Sequence, residues 1–208
     1  MRALLERHGT TYAEEIGIRL DRGGPSALFR LLCAALLLSA RISADLGVAA
    51  ARALAANGWT TPRKLADATR AQRTKALNRA GYARYDERTS RMLEDSARHL
   101  IDAYGGDLRR LRDAAGRDPA RERELLKEFK GIGDVGADVF MREVQRVWRE
   151  ARPFFDDRAL ESARRLGLPD DPDALARLAP RRDSARLAAA LVRSALAKDH
   201  RDVIAAAR

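Results

Sequence analysis

A chain of 208 residues can bury a substantial core, as one large domain or two small ones. With 40 Lys and Arg against 30 Asp and Glu, its net charge of +10 favours a polyanionic partner, although Arg spread evenly over every helix would give the same total. A single cysteine excludes an intrachain disulfide, a four-cysteine zinc site and a conventional iron–sulfur cluster, and the 3 histidines lie too far apart for ligand spacing.

In chain order, residues 10 to 20 read as a short helix stopped by Gly23-Gly24. Pro25 suits the first turn of the next helix, 25 to 40, which is apolar on most faces and therefore central. It carries Cys33, read as a small core hydrophobe. Ser43 caps a third helix ending at Asn57-Gly58, Thr61-Pro62 opens a fourth, and Thr69 caps a fifth that stops before Gly81. A long helix follows at 86 to 104, then one capped by Asp107. Asp118-Pro119 starts a helix to Glu128, and another runs from Val135 to about Glu150, with Val139, Phe140, Val144, Val147 and Trp148 as an apolar stripe. Helices at 157 to 166, 172 to 178 and 183 to 197 and a last turn or two to Ala207 complete the chain. No stretch shows β alternation and no fixed period repeats, so the expected class is all-α.

The N-terminus lacks an apolar core segment of the secretory kind, and the apolar run from Leu31 to Ala40 is too short to span a bilayer. The expectation is a soluble protein with no membrane partner.

Two stretches can carry function. Between the helices ending at Glu128 and starting at Val135, Gly131 and Gly133 bracket Ile132. Glycine there permits positive φ and leaves N–H groups uncovered, and the following helix adds its unsatisfied N–H groups and positive dipole end. Helix, Gly-Ile-Gly hairpin, helix is the form of a helix-hairpin-helix DNA-binding motif; an ordinary tight connection between helices is the alternative. About twenty residues on, Pro153-Phe154-Phe155-Asp156-Asp157-Arg158 opens a helix. A carboxylate at a helix N-terminus is held ionised, and flanking phenylalanines strengthen its field on a developing cation. Asp is equally a preferred N-cap, which needs no catalytic purpose.

Together these motifs resemble the helix-hairpin-helix (HhH-GPD) DNA glycosylase superfamily, the endonuclease III-like base-excision enzymes, over about residues 25 to 170. Pro25-Ser26-Ala27-Leu28-Phe29 with Leu36-Leu37-Leu38-Ser39-Ala40-Arg41 is similar to the first core helix and its "LLSAQ" end. Gly81-Tyr82 is similar to the "GLY" turn. Lys130-Gly131-Ile132-Gly133 with Ala137 matches "PGVGxxTA", and Phe155-Asp156 with Arg164-Arg165-Leu166-Gly167 matches "VDTHxxRVxxRLG". The resemblance implies two helical domains, 25–148 with the hairpin at about 118–150, and 1–24 joined to 149–208, with a DNA-binding cleft between them. It implies a damaged nucleotide flipped from double-stranded DNA into a pocket, and an essential carboxylate at Asp156, with Asp157 as the fallback for a register shifted by one. Lys130, Gly131, Ile132, Gly133, Val135, Gly136 and Arg41 fall on the implied DNA-binding positions. Tyr82, Phe154 and Phe155 are the implied pocket aromatics, with Trp59 and Trp148 as further candidates.

Departures from the family matter as much. Bifunctional members carry a Schiff-base Lys two residues beyond the second hairpin glycine; Val135 stands there and cannot form an imine, so a monofunctional enzyme is expected. The four-cysteine cluster loop is absent, so the expected cofactor is none, apart from a monovalent cation that the hairpin backbone would accept. Arg41 occupies the position of the intercalating Gln, where it would fill the stack, bind phosphate or remain a solvated helix-end Arg. No acidic residue lies between Leu28 and Ala44, unlike the adenine-excising branch. The Lys-Gly-Ile-Gly hairpin without the lysine is similar to members that excise alkylated purines. The remaining expectations are a monomer in the bacterial cytoplasm, associated with the nucleoid, and, as the alternative function, an inactive DNA-binding protein that recognises damaged or distorted DNA.

Overall fold

The computed structural model describes residues 1–83, 86–180 and 183–207, and among these no strand forms. The chain divides into two compact units, Ile16–Phe140, and Met1–Glu15 with Met141–Arg208. The sequence reading placed the boundaries at 24/25 and 148/149.

The unit Ile16–Phe140 is built around α3 (Pro25–Leu38), in which Leu28, Phe29, Leu31, Leu32 and the residues to Leu37 are buried. Pro25 occupies its first turn as expected. Against α3 pack α4 (Ala44–Ala56), α7 (Asp86–Tyr104) and α8 (Leu108–Ala114); α5 (Pro62–Asp67) and α6 (Arg70–Arg79) pack on α7, and α9 (Pro119–Lys127) on α8. The capping signals read from the sequence hold. Ser43, Thr61, Asp107 and Asp118 accept first-turn N–H groups, and Thr69 with Gln72 forms a reciprocal capping box. Cys33 is buried in α3, and burial pushes its thiol up to about 12, so it is an inert core residue.

In the other unit α1 (Arg2–His8), α11 (Asp157–Arg165) and α14 (His200–Ala205) surround α13 (Ser184–Ala197), with α12 (Pro172–Arg177) adding Leu175 to the core. That core gathers Leu4, Phe155, Ala159, Ala163, Leu187 and Leu191. The sequence reading did not anticipate α1. The helix expected at 10 to 20 shortens to α2 (Tyr12–Ile16), because Gly17 follows it at φ +75°.

The helix after the hairpin, α10 (Asp134–Val144), stops six residues before the expected end at Glu150. Val147 and Trp148 both turn back onto the Val144 carbonyl at 2.8 Å, and the Arg152 guanidinium takes the Gln145 and Arg146 carbonyls. A 3-10 turn, Arg149–Ala151, follows. Trp148 is buried here, so the stripe expected on one helix is divided between α10 and this loop. No helix among the described residues is long and apolar enough to cross a membrane.

Candidate functional site

The hairpin is held from beneath. Ile132 is buried, its N–H closes on the Phe129 carbonyl at 2.9 Å, and the Ser96 hydroxyl of α7 donates to the Lys130 carbonyl at 2.9 Å. Gly131 takes φ +90°, where an L side chain is strained, and a Cβ there would sit 3.0 Å from the Met92 sulfur. Gly133 has no positive φ, and a Cβ on it would meet nothing within 4 Å. Its carbonyl accepts from Ala137 N–H at 2.9 Å, so Gly133 is the N-cap of α10, whose first-turn N–H groups have no acceptor within the helix.

Of the hairpin residues named from the sequence, Lys130, Gly131, Gly133 and Val135 are exposed, and the Lys130 ammonium has no partner among the described residues. Ile132 and Gly136 are buried against each other, a Gly136 Cβ lying 3.3 Å from Ile132, so they shape the turn from inside. Val135 is 54% exposed, an apolar side chain at the surface beside the turn.

The charges flanking the hairpin offset one another. Asp134, in the first turn of α10, is held below the usual carboxylate range by a hydrogen bond from Lys127, 3.2 Å away, and by Arg123, 3.1 Å away. Arg123 also binds Asp138 at 2.8 Å. Beside Gly131 lies a cavity of about 410 Å³ lined by Leu36, Ser39, Arg41, Arg88, Thr89 and Met92 among others. Arg41 and Arg88 are exposed, and neither has a partner among the described residues. The structure therefore brings Arg41 and the hairpin glycine to one cavity.

Asp156 is the N-cap of α11, as the sequence suggested: its Oδ1 accepts from Ala159 N–H at 2.9 Å. Its Oδ2 is ion-paired with Arg142 Nη1, and the two side chains are only 8% and 6% exposed. Asp157, one residue on, is exposed. Gln145 fixes the approach to Asp156, donating to the Phe154 carbonyl at 2.9 Å and accepting from Phe154 N–H at 3.1 Å. Phe155 is a core residue of its unit and Phe154 is half-buried. Tyr82 is buried in the other unit, so the three aromatics assigned to one pocket do not share a unit, and Trp59 also belongs to the Tyr82 unit.

Sequence reasoning missed Arg142. The signal was present, two charged residues, Arg142 and Glu143, set between the apolar Val139-Phe140-Met141 and Val144 on the same helix. Its neighbour Glu143 is engaged elsewhere, accepting from the Tyr12 and Ala13 N–H groups at 3.0 and 2.9 Å; burial pushes its carboxyl up.

An iron–sulfur cluster does not fit these residues, because the one thiol is buried in α3, and among the described residues no group of three or more His, Cys, Asp or Glu could hold a metal. For a cation at the hairpin, the Phe129 and Lys130 carbonyls each already accept a protein donor.

No protein-family model matches the sequence, and no curated protein matches it. Among solved structures the chain is similar to an endonuclease III–DNA covalent intermediate trapped as an estranged-adenine complex, and to a non-covalent endonuclease III–DNA complex. Each has a TM-score of 0.51 and 18% identity, over 93% of this chain and 83% of that one. The likeness establishes the fold: the chain has the all-α fold of endonuclease III, as the motif order led us to expect.

Proposed function

We propose that this protein binds double-stranded DNA through the hairpin and removes a damaged base from it as a monofunctional glycosylase, with Asp156 as the essential carboxylate. The observation that carries the reading is the hairpin. The exposed glycines Gly131 and Gly133 on either side of the buried Ile132, an open helix N-terminus and an unpartnered Lys130 form an anion site of the kind a DNA phosphate fills. The reading is supported by the fold likeness to endonuclease III, which both similar structures hold in complex with DNA. Fold alone does not give chemistry, so the excision step rests on Asp156, and its monofunctional character on Val135.

In this reading the target nucleotide leaves the stack and its glycosidic bond to the base breaks. The electrons of that bond depart with the base, positive charge grows on the sugar, and an ionised carboxylate stabilises it until water adds, one proton of that water passing to the departed base. Val135 offers no amine, so no imine forms and the abasic strand stays intact.

A second reading, DNA binding without excision, is favoured by one observation: Asp156 sits in a cap and an ion pair, which a protein that only binds DNA tolerates. Incubation with duplexes carrying alkylated, oxidised or deaminated bases, followed by alkali, separates the two. Alkali-dependent breaks that vanish in Asp156→Asn are expected. Breaks without alkali would contradict monofunctional action, and normal excision by Asp156→Asn would remove Asp156 from the role. DNA binding with no excision of any base in the panel would leave the second reading standing.

A further inference from the structure

We infer that Arg142 keeps Asp156 electrostatically masked, and that base excision requires the pair to part. The inference rests on the glycosylase reading above. Both carboxylate oxygens are occupied by N–H donors, Oδ1 by the Ala159 amide and Oδ2 by the Arg142 guanidinium. A cation developing on a sugar several ångströms away then meets a dipole in place of a net negative charge, and most of the attraction is cancelled. The pair is screened little by salt, because both side chains are more than nine-tenths buried.

The surrounding frame does not depend on the guanidinium. Gln145 is buried and ties Phe154 to α10 through two hydrogen bonds, and also donates to the Arg142 carbonyl at 3.0 Å. Phe155 is packed in the core, and the Ala159 amide holds Asp156 from α11. Asp156 thus stays in place when Arg142 lets go. Glu143, the adjacent carboxylate along the chain, is held by the Tyr12 and Ala13 amides; the Arg142 charge acts on it too, but the guanidinium hydrogen-bonds Asp156. The competing anion in the complex is a phosphodiester, whose oxygens suit the planar guanidinium fork as well as a carboxylate does.

Single-turnover excision from the same panel of damaged duplexes tests the inference, with binding of each variant followed by fluorescence anisotropy. Arg142→Gln should excise at least about tenfold faster than the unaltered protein, a barrier lower by roughly 1.4 kcal/mol, with its Kd for DNA within about threefold. Arg142→Lys, which keeps the charge, should stay within about threefold of the unaltered rate. Asp156→Asn combined with Arg142→Gln should be inactive. A gain that survives in the double variant, a tenfold gain in Arg142→Lys, or no gain in an Arg142→Gln protein that binds DNA normally would each overturn the inference. If the unaltered protein excises and Arg142→Gln does not gain, only the inference falls. If neither excises while both bind DNA, the glycosylase reading falls with it. Should Arg142→Gln not fold, a structure of the unaltered protein on a duplex carrying a pyrrolidine abasic analogue decides: a parted pair is expected, and an intact pair overturns the inference.

Discussion

Gly131 and Gly133 look interchangeable in the sequence, and the structure gives them separate tasks. Gly131 is required by its backbone, at φ +90° with Met92 and Leu36 closing over the place a Cβ would occupy. Gly133 is free of both constraints, so its value lies in leaving the N-terminus of α10 uncovered. Gly131→Ala should therefore cost about 1–2 kcal/mol of stability. Gly133→Ala should stay within about 0.5 kcal/mol yet weaken DNA binding. Urea unfolding and anisotropy on a plain duplex read the two quantities side by side, and a Gly133→Ala protein that binds DNA normally would refute the close-approach argument. The hairpin was legible before the structure because glycine spacing is local. The division of labour was not, since φ at Gly131 is fixed by α3 and α7, far away in the chain.

Among the helices, caps were legible and endings were less so. Asp118, Asp156 and Asp171 each act on an amide two or three residues ahead, a relation the sequence displays directly. The early end of α10 depends on Arg152 reaching back to the Gln145 and Arg146 carbonyls, and Arg142 finds Asp156 14 residues on; neither is a local pattern. The short α14 shows the same tertiary control in a form that pH can probe. His200 shares a 2.9 Å hydrogen bond with the Ser162 hydroxyl, and burial, helped by the nearby Arg165, lowers its pKa below the ordinary 6.5. The unfolded chain then binds more protons than the folded one as pH falls through 6.5, so stability is full above that pH and declines below it. Asp199 behaves differently: burial pushes its carboxyl up, but His8, Ser194 and Arg7 outweigh that and hold it below the ordinary 3.8. Its contribution is present above 3.8 and is lost as pH falls through its lower folded value. Melting temperature should thus drop between pH 7 and pH 5.5, and His200→Asn, which keeps a polar partner for Ser162 without titrating, should flatten that drop. An unchanged slope in His200→Asn would show that His200 does not set it.

For the molecule as a whole, net charge alone is a poor guide to DNA binding, because many of its cations are paired. Lys127 and Arg123 lie against Asp134, whereas Lys130 and Arg41 have no partner among the described residues. Each phosphate contact by an unpaired cation should release counterions and steepen the salt dependence of binding by about 0.9 in log–log slope. Titrating a plain duplex by anisotropy from about 50 to 200 mM salt should give a steep linear loss of affinity. Lys130→Ala should reduce the slope by about 1, and Lys127→Ala by less than half of that, since Lys127 already faces Asp134 and Glu124. Arg41 offers two outcomes with different meanings. A slope reduced by about 1 in Arg41→Ala marks a phosphate contact, whereas weaker binding at an unchanged slope marks a side chain that fills the stack. Affinity independent of salt across the series would remove phosphate binding altogether, and with it the DNA-binding role built on the hairpin.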